Sequence, residues 1–133
     1  MPPFTLQHLW LVGAGGFIGS ALRYAVGAGL LALAPQPRFP WPTFAVNLSG
    51  CLLVGVLAAL AEDHALGGQA RLFLVVGVLG GYTTFSAFGL ETLLLLRRGD
   101  VALAAAYACG SVLLGVLAAW AGMRAVGALA PHA

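Results

Sequence analysis

One asparagine, a pair of phenylalanines three residues apart and a few hydroxyls are the side chains in this sequence that could do chemistry. They are Asn47, Phe85, Phe88, Thr84, Ser111 and Tyr107, and all sit within long apolar stretches. The asparagine amide brings two N–H donors and one acceptor. An aromatic ring is electropositive at its edge. Together with hydroxyls, these groups form a set of weak, uncharged anion ligands. Weak ligands suit a pathway, where an ion must be both taken up and let go. Each residue also has a plainer role. Asn47 can bond between helices, the two phenylalanines can simply pack, and Ser111 can bond back to its own helix. Tyr107 lies one turn before Ser111 on the same face.

Two charged residues share these stretches. Arg23 can snorkel to an interface or draw anions into a vestibule. Glu91, near the end of its stretch, is an interfacial or a paired carboxylate, or else the acid a proton-coupled carrier would need. Catalysis has no footing, because there is no paired carboxylate, no Ser–His–Asp set and no phosphate-binding loop. Cys51 and Cys109 fall in apolar segments and read as small packing residues. His8, His64 and His132 lie at segment edges or termini, which argues against a histidine metal site.

The elements that hold these residues follow from composition. The chain has 133 residues, of which 61% are hydrophobic and 8% charged, and its six basic residues are all arginine. A water-soluble protein of this size needs more surface charge than that. Scattered arginines also give no basic face for nucleic acid. The chain therefore reads as an integral membrane protein embedded in the lipid bilayer. A membrane-spanning helix takes about 20 apolar residues, and four candidates appear: Leu9–Ala34, Thr43–Ala61, Leu72–Leu96 and Val101–Met123. The N-terminal run is too long for a signal peptide core and is read as a retained first span. PQPRFPWP, EDHALGGQAR and RRGD connect the spans. The whole chain, 1–133, is thus a single four-helix transmembrane domain with both termini on one side.

Arginines are split almost evenly between the two sides, Arg71 and Arg124 against Arg38, Arg97 and Arg98. A clear bias normally fixes orientation. The near tie leaves open insertion in both orientations, with an antiparallel dimer, or one orientation that dominates. Gly13, Gly15, Gly16 and Gly19 in the first span, and Gly110 and Gly115 in the fourth, allow close helix approach. A tight four-helix subunit leaves little room for a pore of its own.

The stretch GGYTTFSAFGLE, residues 80–91, interrupts the third span. Two glycines and a run of mediocre helix formers weaken the helix there. A continuous helix over 72–96 would be about 37 Å long, more than the roughly 30 Å hydrocarbon core. A break at membrane depth is predicted. It is tolerated only inside protein or beside a cavity, and its freed carbonyls suit a cation.

Four motifs sharpen these readings: GGFIGSALRY (15–24), TFAVNLSGC (43–51), GGYTTFSAFGLE (80–91) and AAYACGS (105–111). With them the chain resembles the Fluc (CrcB) family of bacterial fluoride channels over essentially its whole length. The resemblance implies an all-α membrane protein with four transmembrane helices per subunit and a third helix broken mid-membrane. It implies an antiparallel, dual-topology homodimer in the bacterial inner membrane, passing fluoride ion passively out of the cytoplasm to relieve its toxicity. It also implies two pores at the dimer interface and a structural Na+ there, held by the carbonyls of Gly80 and Thr83. Asn47, Phe85, Phe88, Ser111, Tyr107, Thr84 and Glu91 would line the fluoride pathway, with Arg23 in the vestibule.

Some positions depart from the family pattern. Ala87 and Gly89 stand where hydroxyl residues are common, and Leu114 and Gly115 follow Ser111 without a further hydroxyl. Two other functions share parts of this profile. A small multidrug-type proton-coupled exporter has the same architecture but needs an acid in the first span, and this span has none. A non-transporting membrane assembly factor would explain the glycine-rich faces alone.

Overall fold

The computed structural model describes residues 5–33, 38–63 and 65–129. Four helical spans are long and apolar enough to cross a membrane. The first is α1 (Leu6–Leu33) and the second α2 (Trp41–Glu62), which opens with Pro42 in its first turn. Proline is pre-organised at that position, where its missing N–H has no helical acceptor to serve. The third span is composite: α3 (Gly68–Arg71), a π-helical run over Leu72–Leu79, α4 (Gly80–Tyr82) and α5 (Phe85–Arg97). The fourth is α6 (Val101–Leu129). The helices overrun most of the boundaries read from hydropathy. Ala34, the PQP segment after it, His64 and His132 lie outside the described residues.

Close backbone contact assembles the bundle in two pairs. The first span lies against the π-helical run and α4, and α2 lies along α6. Glycines make both approaches possible. A Cβ on Gly15 would lie 2.6 Å from Phe73 O, and one on Gly19 would strike Val78 O. In the other pair, a Cβ on Gly55 would strike Ala119 O and one on Gly122 would strike Leu52 O. Gly13 and Gly110 meet nothing within 4 Å, so the small-residue pattern overcounts the contact positions.

The interior is small. Val46, Ala59, Leu79, Leu95, Ala104 and Tyr107 are its buried apolar residues, while Trp10, Phe17 and Phe85 stand largely exposed. An outward apolar surface is what lipid or a second subunit would cover.

The break in the third span is shorter than the composition suggests and lies after the glycines. Gly80, Gly81 and Tyr82 stay helical, and the backbone is extended only at Thr83 (φ −78°, ψ 159°) and Thr84 (φ −150°, ψ 117°). Gly81 serves proximity instead: a Cβ there would lie 2.5 Å from Gly16 O of α1.

Candidate functional site

The two extended threonines take backbone groups out of the helical ladder, and side chains from α1 and α2 meet them. The Asn47 amide pairs with Thr84 on both edges. Thr84 N–H donates to Asn47 Oδ1 at 2.8 Å, and Asn47 Nδ2 donates to Thr84 O at 3.0 Å. Asn47 is therefore the interhelical bond that one of its two readings proposed. Its second Nδ2 hydrogen is not committed to Thr84. From α1, Arg23 Nη1 donates to Thr83 O at 3.4 Å, and Ser20 Oγ lies 3.5 Å from Gly81 O. The half-buried Arg23 thus reaches inward to the broken backbone instead of outward along the lipid face. Thr84 also restarts the helix: its hydroxyl accepts from Ala87 N–H at 3.3 Å, the usual service of an N-cap threonine.

Beside the break lies an open groove of about 340 Å³, lined by Asn47, Cys51, Gly80, Thr83, Thr84 and Phe85 among others. The Asn47 amide, the two residues predicted to offer carbonyls and the first phenylalanine therefore share one concavity. Phe85 is 83% exposed beside it.

A row of aromatic rings leads away from the groove. Phe85 and Phe88 lie 5.6 Å apart between centroids, Phe88 and Tyr107 5.2 Å, and Tyr107 and Phe39 5.3 Å in edge-to-face geometry. The two phenylalanines do share a face, as their spacing predicts. Tyr107 is fully buried at 0% exposure, and its hydroxyl donates to Glu91 Oε2 at 2.7 Å. The other carboxylate oxygen accepts from the buried Thr43 hydroxyl, also at 2.7 Å. Glu91 is thus a paired carboxylate with a hydroxyl donor on each oxygen, which is how a carboxylate is accommodated away from water.

Ser111 stands apart from this set. Its hydroxyl oxygen is buried and has no hydrogen-bond partner among the described residues. It is not bonded back to its own helix, the commonest fate of a serine in such a position. Tyr107 and Ser111 share a helix face, but within one subunit the first is sealed in and the second is only half-buried.

Sequence reasoning missed Thr43 and Phe39. Thr43 lies one turn before Asn47 on α2, a spacing that puts both on one face. Phe39, Trp41 and Phe44 form an aromatic group in the FPWPTF segment, with Phe39 and Trp41 at 4.4 Å and Phe39 and Phe44 at 5.3 Å. Their clustering was visible in the sequence, but their contact with Tyr107 spans more than sixty residues and was not.

Comparison with known proteins gives a consistent picture. Residues 10–123 match the family described as CrcB-like protein, Camphor Resistance (CrcB). The chain is 46% identical to a "Fluoride-specific ion channel FluC" of Methylobacillus flagellatus, over 91% of this chain and 95% of that one. It is 51% identical to a protein of the same name from Thermus thermophilus, over 93% and 97% of the two chains. A Novosphingobium aromaticivorans relative, again of that name, is 52% identical over 84% of this chain and 90% of its own.

Proposed function

The chain belongs to the CrcB-like family, and from that premise we propose that it is a fluoride-specific channel of the bacterial membrane, working as an antiparallel homodimer and letting fluoride leave the cytoplasm passively. The observation that carries the reading is similarity over nearly the full length of relatives named as fluoride-specific channels. The site chemistry supports it. Fluoride is small, tightly hydrated and a strong acceptor, so a pathway must replace its water with donors and not trap it with a fixed charge. Asn47 brings an uncommitted amide hydrogen and Ser111 a buried hydroxyl without a partner. Phe85 and Phe88 bring ring edges. Tyr107 and Glu91 satisfy one another, so in this arrangement they shape the wall beside Phe88 and leave direct contact to the donors with hydrogens to spare. In this reading Thr84 lends its hydroxyl to the same wall.

The homodimer reading draws support from the open groove and the exposed Phe85, since a second subunit would close both. A sodium ion at that junction is proposed with it. Gly80 and Thr83 would hold the ion through their carbonyls, and when bound it supplies positive charge that offsets the converging carbonyl dipoles. Transport, not catalysis, is the proposed activity.

The test is fluoride efflux from liposomes loaded with fluoride and chloride. Purified protein is expected to release fluoride and retain chloride. Phe85→Ile, which keeps the apolar bulk and removes the ring edge, is expected to cut fluoride efflux at least tenfold. A folded wild-type protein with no fluoride efflux would remove the channel reading, and wild-type rates in Phe85→Ile would remove Phe85 from the pathway.

A further inference from the structure

We propose that the Arg23 guanidinium sets the sodium affinity of the broken third span, because it occupies one of the two carbonyl oxygens the ion would use. This rests on the sodium reading above. The residues fit a hard cation. In a continuous helix, Thr84 N–H would close onto Gly80 O, but it is taken by Asn47 Oδ1 at 2.8 Å. Thr83 is extended, so its carbonyl has also left the ladder. Two carbonyls freed within four residues are oxygen donors of the kind that bind such ions at broken membrane helices.

Thr83 O is not unclaimed. Arg23 Nη1 approaches it to 3.4 Å from α1. Among the described residues no carboxylate pairs with Arg23, so its charge is not neutralised locally. Arg23 thus places a full positive charge on the oxygen that would receive a second one.

Two effects compete. By holding Thr83, Arg23 pre-arranges a ligand and favours the ion. By repelling and competing, it disfavours the ion. The first is small, because a hydrogen bond of 3.4 Å is long and weakly formed. The second is larger. Two cations on one oxygen lie no more than about 6 Å apart. Their repulsion then lowers affinity about threefold with water-like screening and about hundredfold with protein-like screening. Repulsion decides the sign: Arg23 keeps sodium affinity lower than the carbonyls alone would give.

The experiment follows the melting temperature of the purified protein as sodium replaces choline at constant ionic strength. Arg23→Gln is expected to move the sodium midpoint to concentrations about tenfold lower or more. Arg23→Lys keeps the charge and is expected to stay within about threefold of wild type. Arg23→Met is a second neutral variant should the glutamine protein fold poorly, and is expected to shift in the same direction. Ser20→Ala, on the same helix but facing Gly81 O, serves as control and is expected to leave the midpoint in place. A sodium midpoint unchanged or raised in the neutral variants overturns the role of Arg23 alone. A wild-type protein whose melting ignores sodium overturns the sodium reading itself, and this inference with it.

Discussion

Replacing Asn47 by alanine tests the structure at the joint that holds the broken span to α2. The amide makes two hydrogen bonds to Thr84, at 2.8 Å and 3.0 Å, and both are lost together. A hydrogen bond contributes about 0.5–1.5 kcal/mol net, nearer about 0.6 kcal/mol for polar pairs measured within membranes. The pair is therefore worth about 1–3 kcal/mol. The substitution also leaves Thr84 N–H and C=O without partners, in a stretch whose extended backbone cannot satisfy them. The orphaned groups, and not the net value of the bonds, then set the cost, at about 1–3 kcal/mol each where water is excluded. Because the groove is open on one side in the subunit, water can recover part of that. The expected loss is about 2–4 kcal/mol. Asn47→Ser should match Asn47→Ala within about 0.5 kcal/mol, since a serine hydroxyl is too short to bridge both Thr84 groups. Reversible unfolding in mixed micelles measures the difference. Flux should be compared only after stability is known, because Asn47 both supports the break and lines the groove beside it. A folded Asn47→Ala protein within about 0.5 kcal/mol of wild type would refute the claim that the amide holds the break together.

Four further outcomes are expected. Tyr107→Phe removes one of the two hydroxyl donors on Glu91 and should lower stability by about 1–3 kcal/mol in the same unfolding assay. Adding Glu91→Gln should then cost clearly less than the sum of the single losses, a non-additivity expected of groups in one network. Gly19→Val would drive side-chain atoms into the Val78 carbonyl and should prevent α1 from seating on the third span, seen as loss of monodisperse protein in gel filtration. Gly13→Ala, whose added methyl meets nothing within 4 Å, should remain within about 0.5 kcal/mol of wild type.

The spans were legible because a membrane helix needs an uninterrupted apolar run, and that is a property of sequence alone. The break was legible for a related reason: threonines and glycines in such a run have no benefit unless something is made of them. Its extent was not. Gly80 and Gly81 read as the weak point on propensity, yet both stay helical, with α1 packed against α4 and Gly81 admitting the Gly16 backbone. Tertiary contact overrode intrinsic preference, and the interruption moved to Thr83 and Thr84. The π-helical winding of Leu72–Leu79 has no sequence signature at all. It lies where Gly77 comes within 2.9 Å of the Gly15 Cα, counted from an added Cβ, so packing rather than composition is the cause available.

Site residues divide along the same line. The Phe85–Phe88 pair is a local relation and the spacing predicted it. Arg23 with Thr83, Asn47 with Thr84 and Tyr107 with Glu91 are relations between spans, and for each the sequence offered two roles without the partner that chooses. With the partners known, the break and the groove beside it are one construction. A helix can be interrupted at membrane depth only if its stranded groups are met. Asn47 meets both groups of Thr84, Arg23 meets Thr83 O and Ser20 approaches Gly81 O. The residues that meet them are polar by necessity, and they gather where α5 restarts and turns Phe85 outward. Asn47 and the extended threonines therefore come to lie beside the ring of Phe85 because of how the backbone is kept satisfied, and on the proposed reading the same few residues would both hold this helix open and offer a small anion its donors.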